Sequence, residues 1–178
     1  ATFELDHFVA KSEYPFLATS FFNLIPSCAY CNKSKSTNPI GFHLYSEDED
    51  LDFFRFYLKP ESIQKYWSSK ENSDLEVELI SGENGNDALT VELNERFHIN
   101  GIYNTQKDII EELLHKREAY RSAYKKGLTS ILDKKLFPDE AMIDRLLIGT
   151  YTKKEEIHRR PLTKFTQDIA RQLKLLPK

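Results

Sequence analysis

The chain has 178 residues, a formal net charge of −3 and 30% charged side chains. This length suits one domain, or a small module with an extension. No apolar run reaches the roughly 20 residues that a membrane span needs, and the first residues lack the pattern of a secretory signal. We therefore expect a cytoplasmic protein without a membrane contact. The slight acidity does not decide nucleic-acid binding, because a local basic patch matters more than the total charge.

The first 40 residues are predicted to fold as strand, loop, strand and helix. The strand at the start has almost no lead-in, so we expect that some natural N-terminal sequence precedes it. Ser27 is the predicted N-cap of the helix, which stops before Pro39. The Phe21-Phe22 pair is predicted to be core. The predicted ranges are a strand over 2–8, a loop over 9–20, a strand over 21–25 and a helix that begins near residue 29.

The middle of the chain alternates between apolar and polar residues. Residues 46–52 carry five acids in seven positions and are predicted to be a solvated linker. A strand over 53–58 and a short helix over 61–67 follow. The stretches 75–80 and 88–93 both alternate with a period of two, and the segment between them is rich in Gly and Asn. They are therefore predicted to pair as a hairpin.

From residue 103 the pattern becomes helical. Apolar residues recur at three- and four-residue spacing up to residue 132, which predicts one long amphipathic helix with a buried stripe, bent near Gly127. A second helix over 138–147 should end at Gly149. Residues 153–158 are helical or turn-like, and residues 161–176 form a last amphipathic helix. The fold class predicted from these elements is α+β.

Asp6 and His7 stand side by side at the end of the first predicted strand and form a candidate hydrolytic site. Cleavage of a phosphodiester needs a base for the attacking water, a positive centre for the developing charge, and orientation of both. His7 is the natural base, because imidazole titrates close to working pH. Asp6 is a hard oxygen ligand that suits Mg²⁺. Since neighbours on a strand point to opposite faces, they can cooperate only where the strand ends and twists.

Two asparagines complete the candidate site. Asn32, on the predicted helix, can offer a second and neutral oxygen, so that Mg²⁺ or Mn²⁺ keeps room for water and phosphate oxygens. The Asn23 amide both donates and accepts, and we expect it to bond the backbone of the 9–20 loop and to hold His7 in place.

Basic side chains near the site are candidates for contact with DNA phosphates. Lys11, Lys33 and Lys35 are the local cations of this kind. A denser basic cluster, farther along the chain, contains Arg159, Arg160 and Lys164. This second cluster fits a contact with DNA or a partner as well as it fits ordinary charge on a helix surface.

Cys28 and Cys31 have the Cys-x-x-Cys spacing of a metal knuckle or, less often, of a redox pair. A thioredoxin-like redox pair needs a βαβ setting, which the predicted elements do not supply. The two residues could also be small core side chains. Two thiolates alone do not complete a tetrahedral zinc site.

The segments LDHFVAKSEYPFLA and NLIPSCAYCNKSK together resemble the HNH endonuclease motif, in the variant whose third position is Asn. The resemblance implies that His7 is the general base, that Asp6 and Asn32 bind the catalytic divalent metal, and that Asn23 orients the loop. It also implies a ββα-metal nuclease core over residues 1–45. The remaining residues 46–178 would be an accessory region, with short antiparallel strands over 53–93 and helices over 102–178.

Later segments extend the resemblance. FHINGIYN and LIGTYTKKEEIHRRPLTK are similar to the tails of HNH nucleases from anti-phage defence systems, of the Septu type and related retron modules. In those systems the nuclease is paired with an ABC-type ATPase, so the resemblance implies DNA as substrate and an ATPase as partner. Relatives that bind structural Zn²⁺ carry a second Cys-x-x-Cys pair before the Asp-His strand. Here Cys28 and Cys31 would need that pair from a missing N-terminal segment, or histidines would help, or zinc is absent.

A second class of function is a catalytically silent zinc-knuckle module that binds nucleic acid or a partner. A binding knuckle needs its cysteines and has no use for Asp6 and His7. This chain keeps the catalytic set and has half of the cysteines, so the endonuclease hypothesis is favoured. A third hypothesis, compatible with the endonuclease, is that the helical tail serves as a docking surface for the ATPase.

Overall fold

The computed structural model describes residues 3–41, 53–83, 85–120 and 140–177, together with residues 124, 127 and 131. In this part of the chain the protein is mixed α+β, and its strands form two antiparallel two-stranded sheets. The predicted linker over 46–52, the bend at Gly127 and much of the predicted long helix lie outside the described residues or at isolated positions.

The elements follow the chain in an irregular alternation of strands and helices. The strands are β1 (Phe3–His7), β2 (Leu24–Cys28), β3 (Phe54–Leu58) and β4 (Val77–Ser81). The helices are α1 (Ala29–Lys35), α2 (Pro60–Ser69), α3 (Asp87–Phe97), α4 (Ile99–Tyr103), α5 (Lys107–Ala119), α6 (Glu140–Ile148) and α7 (Thr163–Gln172). Short 3₁₀ turns occupy Pro15–Leu17, Phe21–Asn23, Asn72–Asp74 and Lys154–Arg159.

The chain divides into two compact units. The first contains Ala1–Phe54 and Ser81–Ile99, and the second contains Arg55–Ile80 and Asn100–Lys178. The sequence division into 1–45 and 46–178 differs from this, because Ser81–Ile99 belongs with the N-terminal residues. The segment that returns to the first unit carries α3, and α3 packs beside α1.

In the first unit β1 and β2 are antiparallel, with Phe3 opposite Cys28 and His7 opposite Leu24. This register gives the ribbon two different faces, since alternate residues of a strand point to opposite sides. Glu4 and Asp6 lie on the face that meets α1. His7, the last residue of β1, lies on the opposite face of the strand. The expected strand–strand–helix order is confirmed over residues 3–35.

Several local predictions in this unit are wrong. The second strand begins at Leu24, because residues 21–23 form a 3₁₀ turn. Phe21 and Phe22 are 72% and 65% exposed, and the buried residue of that turn is Asn23. The side chain of Cys28, not Ser27, caps α1.

The predicted hairpin of 75–80 with 88–93 is also wrong. Residues 88–93 lie within α3, and β4 pairs with β3 instead. Asn86 supplies the N-cap: its Oδ1 accepts from the backbone N–H of Ala88 at 2.9 Å and of Leu89 at 3.4 Å. A cap of this kind satisfies amide groups that the first turn of a helix leaves without partners.

The second unit is built on the β3–β4 ribbon, and side chains cover both edges of it. Asn104 brackets the backbone of Val77, accepting from its N–H at 2.9 Å and donating to its carbonyl at 2.6 Å. On the other strand, Gln172 does the same for Leu58, at 2.8 and 2.7 Å. These amide pairs replace the neighbouring strands that a larger sheet would have.

The core of the second unit confirms the predicted helical stripe only in part, because α5 ends at Ala119 and two later members of the stripe, Tyr124 and Ile131, are 47% and 82% exposed. Ile110, Leu113 and Leu114 of α5 are buried, and they lie at the predicted three- and four-residue spacing. Gly149 ends α6 with φ 84°, as expected for a glycine after a helix. Among the described residues, no helix is long and apolar enough to cross a bilayer.

Candidate functional site

Asn23 fixes the loop that follows β1. Its buried side chain accepts from the backbone N–H of Val9 at 2.7 Å and donates to the carbonyls of Val9 and Leu17, both at 3.1 Å. Because an N–H can only donate and a carbonyl can only accept, these partners assign the two ends of the amide. The expectation that Asn23 bonds the backbone of the 9–20 loop is confirmed.

His7 is held by the next carbonyl of the same loop. Its Nε2 lies 3.0 Å from the oxygen of Ala18, directly after Leu17, which Asn23 holds. Since a carbonyl oxygen cannot donate, the hydrogen lies on Nε2, and in the neutral ring Nδ1 is left as the proton acceptor. The loop thus orients the ring and fixes which nitrogen carries the hydrogen in the neutral form.

Asp6 meets Lys35 rather than solvent. The Lys35 ammonium lies 3.2 Å from Oδ1 of Asp6 and 2.6 Å from the backbone oxygen of His7, and both side chains are buried. Lys35 is 1% exposed, so its ammonium is not available to a DNA phosphate. That predicted contact is corrected: Lys35 positions Asp6 and ties α1 to the end of β1. Lys11 and Lys33 are exposed, and their contact with DNA stays a prediction.

Asn32 meets Glu4, a residue that the sequence reasoning missed. Nδ2 of Asn32 donates to Oε2 of Glu4 at 2.8 Å. A carboxylate offers acceptors, so the amide nitrogen must face Glu4, and Oδ1 of Asn32 keeps its acceptor capacity for another group. The signal was available in the sequence, because Glu4 is two residues before Asp6 and therefore lies on the same face of β1.

The side chains on this face have the chemistry of a magnesium or manganese site. Glu4, Asp6 and Asn32 supply carboxylate and amide oxygens, the donors that these hard cations prefer. The hydrogen bonds of the described residues do not join Asp6 to Asn32 directly; each has its own partner, Lys35 and Glu4. Within the described ranges, no cluster of three or more His, Cys, Asp or Glu side chains is placed to hold a metal ion. The ligand set of one acid and one amide therefore stays a prediction.

Cys28 and Cys31 form the first turn of α1. The backbone N–H of Cys31 donates to Sγ of Cys28 at 3.3 Å, and this bond lowers the pKa of the exposed Cys28 thiol. Burial raises the pKa of Cys31 to about 11. Both cysteines are free thiols. The capping bond gives Cys28 a structural role that needs no metal, and a structural Zn²⁺ at this pair stays a prediction.

The structure thus sorts the expected site residues into two groups. His7 and Asn23 are joined through the carbonyls of one loop, while Asp6 and Asn32 are each fixed on the α1 side of β1. Comparison of the chain with protein-family models, curated proteins and solved structures finds no match. What the site can do must follow from its own residues.

Proposed function

We propose that the β1–β2–α1 region is the ββα-metal core of an HNH-type endonuclease that hydrolyses DNA phosphodiester bonds. The observation that carries the proposal is the hydrogen bond from His7 Nε2 to the carbonyl of Ala18, in a loop that Asn23 pins at Leu17. A histidine that served packing alone would not need a loop carbonyl to select its tautomer and a buried amide to hold that loop. Both are expected for a catalytic base.

In this mechanism His7 Nδ1 takes the proton of the attacking water, and the Ala18 carbonyl stabilises the ring as it becomes positively charged. Asp6 and Asn32 would hold Mg²⁺ or Mn²⁺, which, when bound, neutralises charge on the pentavalent phosphorus and on the leaving 3′-oxygen. Lys11 and Lys33 are exposed cations in the same unit and would contact flanking phosphates.

The proposed biological setting comes from the resemblance to defence nucleases. We place the protein in the cytoplasm, as the DNA-cutting effector of an anti-phage system in which an ABC-type ATPase is the partner. A structural Zn²⁺ at Cys28 and Cys31 would belong to the same setting. The silent binding module remains the competing function, and cleavage separates the two.

The direct test is cleavage of supercoiled plasmid by the chain with Mg²⁺ or Mn²⁺. We expect nicked or linear DNA to accumulate with metal and none to form when EDTA is present from the start, because EDTA removes the divalent cation that Asp6 and Asn32 would hold. DNA bound but left intact with both metals would refute the nuclease and leave the silent module. Cleavage that resists EDTA would contradict the metal-dependent mechanism.

Glu4 provides a sharper test of the metal site. In Glu4→Ala, Asn32 loses the partner that orients its amide, and we expect the Mn²⁺ concentration for half-maximal cleavage to rise about tenfold, as for other partners of metal ligands. Glu4→Gln keeps an acceptor oxygen and should retain most of the apparent metal affinity. Glu13→Ala removes an exposed acid of the same unit and serves as the matched control. Equal metal dependence of Glu4→Ala and wild type would show that Glu4 does not position Asn32.

A further inference from the structure

Three arginines of the second unit converge on one aromatic ring. The guanidinium carbon of Arg145 lies 3.9 Å from the ring centre of Tyr151, and those of Arg159 and Arg160 lie at 5.3 and 5.6 Å. We call these four residues the Tyr151 cluster. Arg159 and Arg160 are exposed, and Tyr151 and Arg145 are half-buried, so the cluster forms part of the surface of this unit.

The backbone under the cluster is fixed by side chains of α7. The amide of Gln167, which is fully buried, donates to the carbonyls of Tyr151 at 2.8 Å and Lys153 at 2.9 Å. Arg171 donates to the carbonyl of Thr152 at 3.2 Å. Three consecutive carbonyls are therefore anchored, so the ring and its arginines are presented from a preorganised segment rather than from a free loop.

The charge of the cluster is poorly balanced by the protein itself. Within the described residues, the acid that forms an ion pair with one of these arginines is Glu156, at 3.4 Å from Arg159. Residues 145–160 contain five Lys and Arg against two Glu, although the whole chain has 25 basic and 28 acidic residues. Like charges held this close repel one another unless an anion neutralises them. The gathering of three arginines at one ring therefore favours an anionic ligand.

The chemistry of the cluster favours a sugar–phosphate backbone. Guanidinium groups match phosphate oxygens in a two-pronged geometry, and they also stack on aromatic rings, as Arg145 does on Tyr151. We infer that the Tyr151 cluster is a DNA-backbone binding site of the second unit. The choice of DNA as the ligand rests on the proposed function. The conclusion that the cluster binds an anion rests only on its arginines.

The test measures binding apart from cleavage. Fluorescence anisotropy of a labelled DNA duplex, with the full chain in EDTA, gives Kd at several salt concentrations. Arg145→Gln combined with Arg159→Gln and Arg160→Gln should weaken binding at least about tenfold at low salt and reduce the salt slope by about 2 to 3, since each neutralised phosphate contributes about 0.9. Because EDTA stops cutting, loss of nuclease activity cannot imitate this result.

Matched variants separate the cluster from general charge. Replacing Lys65, Lys70 and Arg117 by Gln removes the same charge from exposed positions of the same unit, and Kd should stay within about twofold of wild type. Arg160 also donates to the carbonyl of Gly149 at 3.2 Å, so the Arg145→Gln, Arg159→Gln double variant tests the cluster with that bond intact.

An unchanged salt slope in the double and triple variants would overturn the inference, as would an equal loss of DNA affinity in the control variant. Tighter binding of an RNA duplex through the same arginines would overturn the assignment to DNA. If the arginines bind DNA but the chain never cuts it, the nuclease proposal fails and this site stands.

Discussion

His7→Ala is expected to lower metal-dependent DNA cleavage by about 100- to 10,000-fold, the usual loss when a general base is removed. The reason is local: the carbonyl of Ala18 fixes the hydrogen on Nε2, so Nδ1 is the acceptor nitrogen that the variant removes. Initial rates of plasmid nicking at saturating Mn²⁺ measure the effect. DNA binding in EDTA should stay near that of wild type, because the ring is not a phosphate contact.

The control for this variant is an exposed histidine of the same unit, His98. His98 caps α3 with φ 53°, a left-handed conformation that Asn tolerates, so His98→Asn removes an imidazole without straining the backbone. It should cleave like wild type. If His7→Ala keeps wild-type rates, His7 is not the base and the proposed mechanism is wrong. Circular dichroism of both variants separates lost chemistry from lost fold.

The features of this site that the sequence predicts correctly depend on residues that are close together in the chain. The strand at residues 3–7, the helix that begins at Ala29 and the bonding of Asn23 to the preceding loop all follow from local pattern and from amide chemistry. A side-chain amide that follows closely after a loop finds its hydrogen-bond partners most easily among the backbone groups of that loop. For this reason the bonding of Asn23 to the 9–20 loop is the most specific expectation that the structure confirms.

What the sequence could not predict depends on how elements pack. Lys35 was expected at the surface beside Lys33, since both follow the same polar stretch of α1. Helical geometry separates residues two apart by more than half a turn, and the packing of α1 against β1 then buries Lys35 and exposes Lys33. The partner that accepts the buried ammonium, Asp6, lies 29 residues away.

The predicted strand over 88–93 is wrong for a different reason, because the sequence pattern of this segment fits a strand and a helix equally. Alternation in ALTVEL also places Leu89 and Leu93 four residues apart, which is a helical spacing. The deciding feature is Asn86, which lies in the Gly- and Asn-rich segment predicted to be a turn between strands, and its side chain caps α3. Asparagine favours both positions, and the choice between them is made by the packing of α3 beside α1.

Lys35→Met is expected to destabilise the first unit by about 3 to 5 kcal/mol, because Asp6 would be left as a buried charge without its partner. Trp67 is the single Trp and lies in the second unit, so its fluorescence would report on the wrong part of the protein. Hydrogen–deuterium exchange of peptides covering residues 3–35, measured along a urea series, reports on β1 and α1 directly. Faster exchange there at low urea is the expected result.

Two further variants decide what Lys35 does. Lys33→Met removes an exposed lysine of the same helix and should change stability by less than about 0.5 kcal/mol. Asp6→Leu combined with Lys35→Met removes both charges and should recover much of the lost stability, since a buried ion pair replaced by apolar residues of similar size is often neutral. That double variant should be stable yet unable to cleave, because the proposed metal ligand is gone. A stable Lys35→Met that binds DNA weakly would instead restore Lys35 as a phosphate contact and show that the buried pair with Asp6 does not hold the site together.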